Sequence, residues 1–129
     1  MNLEIGKTLT GSQLLKCENL KSFGNYEIYF LNEDVSFIFA IDNSNLICSC
    51  FEFHDREDGI QLAHMYTQAK LKGQGIGKAI ITEAVNVWGE FLLPSTNNDD
   101  IYYFIENGLG FIYSCFKDGI LTHPPFKRP

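Results

Sequence analysis

The feature that most constrains the fold of this chain is a glycine-rich segment at residues 72–78, with the sequence KGQGIGK. It lies between a predicted strand, Ile60 to Thr67, and a predicted amphipathic helix, Ile76 to Trp88. Glycine lets the backbone turn tightly and present several N–H groups to one point, and the helix adds the positive end of its dipole. This order of strand, glycine loop and helix N-terminus predicts a site that binds a phosphate group. The alternative is an ordinary tight turn into a helix.

Two common phosphate-binding loops do not fit the segment. The nucleoside-triphosphate loop, G-x-x-x-x-G-K-[ST], requires a glycine at Lys72 and a hydroxyl residue at Ala79. The dinucleotide fingerprint, G-x-G-x-x-G, requires a glycine at Lys78 and a run of parallel strand–helix–strand units. The segment instead resembles the pyrophosphate loop of the GNAT acetyltransferase superfamily, [Q/R]-x-x-G-x-[G/A], with Lys72 in place of Gln or Arg.

The elements around the loop occur in an order that is similar to the GNAT core. Tyr26 to Leu31, Ser36 to Ile41 and Leu46 to His54 have the composition of strands, and the turn at Asp42 to Asn45 predicts a hairpin. We therefore predict an α/β (α+β) fold, with a mostly antiparallel sheet flanked by helices and a glycine pyrophosphate loop before the central helix. One domain spans residues 1–129, with its core at about 36–121 and a short N-terminal region in which Thr10 or Ser12 caps a helix through Leu20.

The C-terminal third contains a second landmark of the family. Asn98 is followed by a predicted helix at residues 99–107 and then by the sequence LGF at residues 109–111. The aromatic-rich stretch from Phe111 to Phe116 then predicts a strand, and the sequence at residues 117–119 predicts the turn of a last hairpin.

The resemblance implies that the chain uses acetyl-CoA as a co-substrate and acetylates an amine by direct transfer. In this family the strand before the loop pairs with the pantetheine arm, its end polarises the thioester carbonyl, and the loop holds the pyrophosphate. Carried over to this chain, these roles and the Asn landmark imply the following cofactor-binding residues: Met65, Tyr66, Thr67, Lys72, Gly73, Gln74, Gly75, Ile76, Gly77, Lys78 and Asn98.

The catalytic residues of the family are not present at the matching positions. Many members carry a Glu as general base where this chain has Gln61, and a Tyr as general acid where it has Ile105. His64 is our candidate base, because a histidine side chain exchanges a proton near neutral pH, although a structural role for it stays open. Tyr103 is the candidate acid. A GNAT-like module that binds CoA or a partner protein without catalysis is the alternative function.

Composition excludes other classes of function. The formal net charge is -6 and there is no basic run, which argues against nucleic-acid binding. No segment is long and apolar enough to span a membrane or resembles a signal peptide, so we expect a cytoplasmic protein with four free cysteines. Cys48 and Cys50 alternate on one strand, and we expect them to share a face as buried thiols rather than to bind metal with His54 or His64.

We also expect the chain to form a homodimer. The predicted C-terminal strands, residues 111–116 and 120 onward, would leave an exposed sheet edge that a second copy can cover. The proline-containing tail at residues 122–126 would lie across that neighbour.

Overall fold

The computed structural model describes residues 1–93 and 109–122, which form a mixed α+β fold around one antiparallel sheet. The five strands follow one another in the sheet in chain order. They are β1 (Glu18–Phe23), β2 (Tyr26–Asn32), β3 (Val35–Ile41), β4 (Ile47–Arg56) and β5 (Gly59–Thr67). The helices are α1 (Gly11–Leu14), α2 (Ile76–Trp88) and α3 (Leu109–Lys117), and a short 3-10 helix (Ala69–Leu71) precedes the glycine segment.

The strands β2 to β5 confirm the predicted meander to within two residues at each end. Asp42 shapes the turn between β3 and β4, because its Oδ1 accepts hydrogen bonds from the backbone N–H groups of Ser44 and Leu46 at 2.8 and 3.1 Å. Asn45 adopts the left-handed conformation there, with φ of 63°, which asparagine tolerates better than most residues. The turn chemistry therefore sets the register of this hairpin.

The N-terminal region differs from the prediction of a helix through Leu20. Thr10 caps α1 and Gln13 completes a reciprocal capping box, but the helix ends after four residues. The chain then forms β1, which pairs with β2 at the edge of the sheet. The cap signal was correct, but pairing with β2 decided the conformation of residues 18–23, and the ordered fold therefore begins well before residue 36.

One face of the sheet packs against α2. Ile76, Ile80 and Ile81 are buried along the inner side of α2, as the helical spacing predicted. Trp88 closes the end of this core, with its ring centroid 4.6 Å from that of Phe53. Glu83 is also buried, and its Oε2 accepts a hydrogen bond from Asn86 Nδ2 at 3.3 Å.

The opposite face packs against the N-terminal segment. Its core consists of Leu3, Leu9, Leu31, Phe39, Ile41, Ile47 and Cys50. Cys48 belongs instead to the core on the α2 face, so the expectation that Cys48 and Cys50 share a face was wrong. A register shift opposite Ala40 and Ile41 leaves Cys48 as an extra residue in β4, and such a bulge breaks the alternation of side chains. Both thiols are buried, and all four cysteines are free.

The segment from Phe111 to Phe116 was predicted as a strand, and it is part of helix α3. Gly119, with φ of 77°, ends the helix: its N–H bonds the carbonyl of Phe116 at 3.0 Å, and the N–H of Ile120 bonds that of Cys115 at 2.9 Å. These two bonds are a Schellman motif, in which glycine stops a helix and does not form a hairpin turn. The homodimer stays a prediction, but the strand at residues 111–116 on which we placed its interface does not exist. The predicted helix at 99–107 and the tail beyond 122 lie outside the described residues.

The segment from Phe91 to Leu93 forms a single parallel bridge beside β5, between Leu92 and Gln61. Leu92 receives a hydrogen bond from the N–H of Leu62 at 2.9 Å and donates its own to the carbonyl of Ile60 at 2.6 Å. Leu92 thus lies beside the first half of β5. Among the described residues, no helix has the length and apolar character needed to cross a membrane.

Candidate functional site

A cavity of about 640 Å³ opens where the end of β5, the glycine segment and the start of α2 come together. This volume falls within the range of roughly 300–1,000 Å³ that small-molecule sites occupy. Fourteen residues line it: Ile5, Phe51, Met65, Tyr66, Thr67, Leu71, Lys72, Gly73, Gly75, Ile76, Gly77, Lys78, Phe111 and Ser114. The glycine segment therefore borders a cavity of the size that a cofactor needs.

Two glycines give the segment its shape. Gly73 and Gly75 have φ of 85° and 86°, in the left-handed region that costs other residues about 1–2 kcal/mol. Gly75 is the N-cap of α2, and the first helical hydrogen bond runs from Ala79 N to Gly75 O at 3.0 Å. The N–H groups of Ile76, Gly77 and Lys78, which precede Ala79 in the first turn, thus have no acceptor within the helix.

These backbone donors make the start of α2 electropositive. All three residues that carry them, 76–78, line the cavity. The first turn contains no acidic side chain, so the positive end of the helix dipole is not offset within that turn. An anionic group in the cavity would meet both the donors and the dipole.

Gly77 has a different role from the other two glycines. Its backbone is helical, and a Cβ atom built on it would lie 3.1 Å from two ring atoms of Phe111 and 3.5 Å from Phe51. Phe111 and Phe51 pack edge to face, with centroids 6.1 Å apart. Glycine therefore allows α3 to lie close to α2 here, and α3 forms a wall of the cavity through Phe111 and Ser114.

The two lysines that flank the segment are in different environments. Lys78 forms an ion pair with Asp118, at the end of α3, with Nζ and Oδ2 2.5 Å apart. Lys72 is exposed at the cavity rim, and within the described part of the chain no hydrogen bond or ion pair involves its side chain. Lys72 can therefore reach an anion in the cavity directly. Lys78 would first have to break its ion pair with Asp118, or bind the anion and Asp118 at the same time.

Both members of this ion pair act electrostatically on the buried thiol of Cys115. Burial raises the pKa of its thiol to about 11, with smaller opposing contributions from Lys78, which lowers it, and Asp118, which raises it. The thiol is therefore protonated at neutral pH, and a protonated thiol is a poor nucleophile. Cys115 is thus a packing residue of the site.

At the other side of the cavity, a buried serine holds the end of β5. Ser49 Oγ lies 3.1 Å from the carbonyl oxygen of Tyr66 and 2.8 Å from Thr67 Oγ1. Ser49 is fully buried, so these hydrogen bonds tie the last residues of β5 firmly to β4. The cavity wall formed by Met65, Tyr66 and Thr67 is consequently well supported.

The candidate general base, His64, does not line the cavity. Its ring stacks on Tyr66, which does, with centroids 5.9 Å apart and planes 20° apart. Gln61, at the position of the family's usual base, accepts a hydrogen bond from Arg56 Nε at 2.9 Å. Tyr103, the candidate acid, lies outside the described residues.

His64 belongs to a cluster that the sequence did not reveal as such. Glu52 pairs with His64 across β4 and β5, and its Oε2 lies 3.8 Å from His64 Nε2. The same oxygen lies 2.6 Å from Nε2 of His54, two residues along β4. Glu52 and His54 are two residues apart on β4, and the pairing register of β4 and β5 places His64 beside them.

The structure therefore brings together most, but not all, of the predicted cofactor residues. Gln74 is exposed and does not line the cavity; its Nε2 donates to the carbonyl of Lys70 at 3.2 Å. Asn98 lies outside the described residues. Sequence reasoning missed Phe111 and Ser114, which became cavity residues because α3 is a helix. The sequence does contain a feature that indicates this helix: apolar residues recur at positions 111, 112, 115 and 116, which is helical spacing. The aromatic content of the same segment favours a strand equally well.

Over the part of the chain that the structure describes, no group of three or more His, Cys, Asp or Glu residues is arranged to hold a metal ion. Comparison of the chain with protein-family models, with curated proteins and with solved structures finds no match in any of the three.

Proposed function

We propose that this chain is a cytoplasmic N-acetyltransferase that binds acetyl-CoA in the cavity and transfers its acetyl group directly to a primary amine. One observation carries the proposal: the end of β5, the glycine segment and the first turn of α2 line the same cavity. A ligand with a pyrophosphate, an amide-containing arm and a thioester needs these three elements side by side, because each recognises a different part of it.

The charged end of the ligand fits the glycine segment. The N–H groups at the start of α2 would donate hydrogen bonds to the pyrophosphate, with Lys72 as a charge-assisted partner at the rim. Gly73 has open space above its Cα, so a phosphate oxygen can approach the backbone there. The apolar wall of Phe51, Leu71 and Phe111 would exclude water from the rest of the ligand.

The thioester would lie near the end of β5. A backbone N–H at Tyr66 or Thr67 would polarise its carbonyl, and the hydrogen bonds from Ser49 would hold that donor in place. His64 is the candidate proton acceptor, one stacked ring away from the cavity wall. The acceptor amine would therefore approach from the sheet face that carries His64, opposite the face that packs on α2.

A comparison of two lysines tests the binding step. Lys72 lines the cavity, whereas Lys70 is exposed on the 3-10 helix and does not, so Lys72→Glu and Lys70→Glu change the net charge equally at different places. We expect acetyl-CoA to bind the wild type in a calorimeter, Lys72→Glu to weaken it about tenfold, and Lys70→Glu to change it much less. S-acetyl-pantetheine, which lacks the pyrophosphate, should bind both variants alike. Equal losses in the two variants would contradict the assignment of the loop.

A second candidate function is a module that binds CoA or a partner protein without catalysis. It is favoured by the lining of the cavity, since none of the described residues there is a carboxylate or an imidazole. Gln61, moreover, is engaged with Arg56 and is no proton acceptor. Release of free thiol from acetyl-CoA in the presence of amines separates the two candidates: binding without release supports the silent module.

A further inference from the structure

The carboxylate of Glu52 and the imidazoles of His54 and His64 share one face of β4 and β5 beside the cavity. Of the three, only His64 was predicted from the sequence as a candidate catalytic residue. Glu52 and His54 are two residues apart on β4, and His64 is the cross-strand partner of Glu52. All three side chains are partly exposed, at 25%, 28% and 37%. The group is thus accessible from solvent and yet fixed to the sheet.

The two distances to Glu52 differ in a way that assigns roles. At 2.6 Å, His54 Nε2 is within hydrogen-bond distance of Glu52 Oε2, which requires a proton between them when the carboxylate is ionised. At 3.8 Å, His64 Nε2 is too far for a hydrogen bond but close enough for an ion pair. His54 therefore holds the carboxylate in place, and His64 is the imidazole whose Nε2 makes no hydrogen bond to that carboxylate.

His64 is also the member of the group nearest to the cavity. Its ring centroid is 6.2 Å from that of His54 on one side and 5.9 Å from that of Tyr66, a cavity residue, on the other. The order across the sheet face is Tyr66, His64, Glu52, His54. A proton released at the cavity rim would meet His64 first and the carboxylate behind it.

We propose that Glu52 and His54 are positioning residues that make His64 the proton acceptor for the amine, an inference that rests on the proposed function. The amine nitrogen forms a bond to the thioester carbonyl carbon, and its proton passes to His64. The C–S bond breaks with its electron pair on sulfur, and the thiolate takes a proton from water. Glu52 stabilises the imidazolium that forms, because opposite charges at this distance attract. His64 then returns its proton to solvent.

The kinetic test uses variants matched in shape and charge. Glu52→Gln keeps the size of the side chain and removes its charge, and Glu57→Gln makes the same change in the exposed turn between β4 and β5. The acceptor probes are methylamine, butane-1,4-diamine and a lysine-containing pentapeptide, with thiol release from acetyl-CoA as the readout. We expect Glu52→Gln to lower kcat about 10- to 100-fold with the affinity for acetyl-CoA unchanged, and Glu57→Gln to leave both unchanged.

The role of His54 gives a second and graded readout. His54→Gln keeps a side-chain donor for Glu52 and should retain more of kcat than His54→Ala, while both keep the acetyl-CoA affinity of the wild type. Nitrogen-15 NMR of the imidazoles tests the same arrangement without turnover. It should show a proton on Nε2 of His54, with a resonance that changes in Glu52→Gln.

The outcomes separate this inference from the proposed function. Wild type that does not bind acetyl-CoA overturns the proposed function and this inference with it. Binding with no transfer to any probe amine supports the silent module, so it overturns the proposed transferase and this inference with it. Transfer that persists within twofold in Glu52→Gln, or a His54 that carries its proton only on Nδ1, overturns this inference alone and leaves the proposed transferase standing.

Discussion

The two faces of the sheet are closed by different parts of the chain, and each leaves a different kind of surface at the end of β5. Helices α2 and α3 cover one face, and where they meet the glycine segment a cavity remains. The N-terminal segment covers the other face around Leu9 and Phe39, and beyond its reach the polar group of Glu52, His54 and His64 is partly exposed. The two surfaces meet at Tyr66, which stacks on His64 and lines the cavity.

The difference lies in what each surface offers to a ligand. The helical face offers backbone donors, a lysine and apolar walls, which suit a large anion with an apolar arm. The other face offers a carboxylate and imidazoles, which suit a cation that gives up a proton. The proposed direct transfer would require the two substrates to meet where these surfaces meet, at Tyr66 near the end of β5.

The largest effect should come from removing the packing of the N-terminal segment. Leu9 is 1% exposed against the second face, and Leu9→Ala should lower the free energy of unfolding by about 2–5 kcal/mol. Leu15, only six residues away but 87% exposed, is the matched control, and Leu15→Ala should change stability by less than about 0.5 kcal/mol. Urea unfolding measures both. Equal effects would mean that this segment does not close the second face.

The helical face should be sensitive at Gly77. Gly77→Leu forces a side chain against the Phe111 ring and should cost roughly 1–3 kcal/mol of stability. Adding Phe111→Ala should recover part of that loss, since the two residues share the same space. Gly110→Leu is the control, because a Cβ atom there meets no other atom within 4 Å. If the loss of stability in the double variant equals the sum of the losses in Gly77→Leu and Phe111→Ala, the two residues do not contact each other between α2 and α3.

The second face should also show a dependence on alkaline pH. Burial raises the pKa of the Cys50 thiol from 9.0 to about 12, with a smaller contribution from Glu52. Above pH 9 the unfolded chain loses this proton and the folded chain keeps it, so stability falls as pH rises from about 9 towards 12. Between pH 8 and 10 the wild type should lose about 1 kcal/mol more than Cys50→Ala does, as measured by urea unfolding at each pH. If the free energy of unfolding falls equally with pH in the two proteins, the Cys50 thiol is exposed to solvent and not buried.

The smallest effect concerns the ion pair beside the cavity. Asp118→Asn frees Lys78 and should raise the affinity for acetyl-CoA by up to about fivefold at low salt, because a partly exposed pair contributes about 1 kcal/mol or less. Glu90→Gln, a change of the same charge at an exposed position past the end of α2, should have little effect. Calorimetry at low and high salt measures both, and an unchanged affinity in Asp118→Asn would show that Lys78 does not face the ligand.

Local pattern alone determined the sheet meander and helix α2. Alternating apolar residues, the Asp42 turn and the three- and four-residue spacing of α2 each act over a few residues, so they can be recognised in the sequence. The predicted glycine segment likewise begins α2, because positive φ at Gly73 and Gly75 is a local requirement. Nine of the predicted cofactor residues consequently line one cavity: Met65, Tyr66, Thr67, Lys72, Gly73, Gly75, Ile76, Gly77 and Lys78.

Contacts between distant segments decided the rest. The stretch from Leu109 to Lys117 fits a strand by composition and a helix by spacing, and it is the helix that packs Phe111 against Gly77 and brings Asp118 to Lys78. Residues 18–23 became a strand because β2 was there to pair with them. Where two local conformations have similar energy, packing against the rest of the chain selects between them, and no property of the segment itself reveals the outcome.

The register of β4 and β5 is the clearest case. The bulge at Cys48 moved that thiol to the opposite face from Cys50, and the pairing of Glu52 with His64 assembled the polar group beside the cavity. The sequence by itself determined which residues form β2 to β5. Only the tertiary structure decided which residue lies opposite which, because register is a property of two strands, and a shift of one residue reverses the face on which every side chain lies.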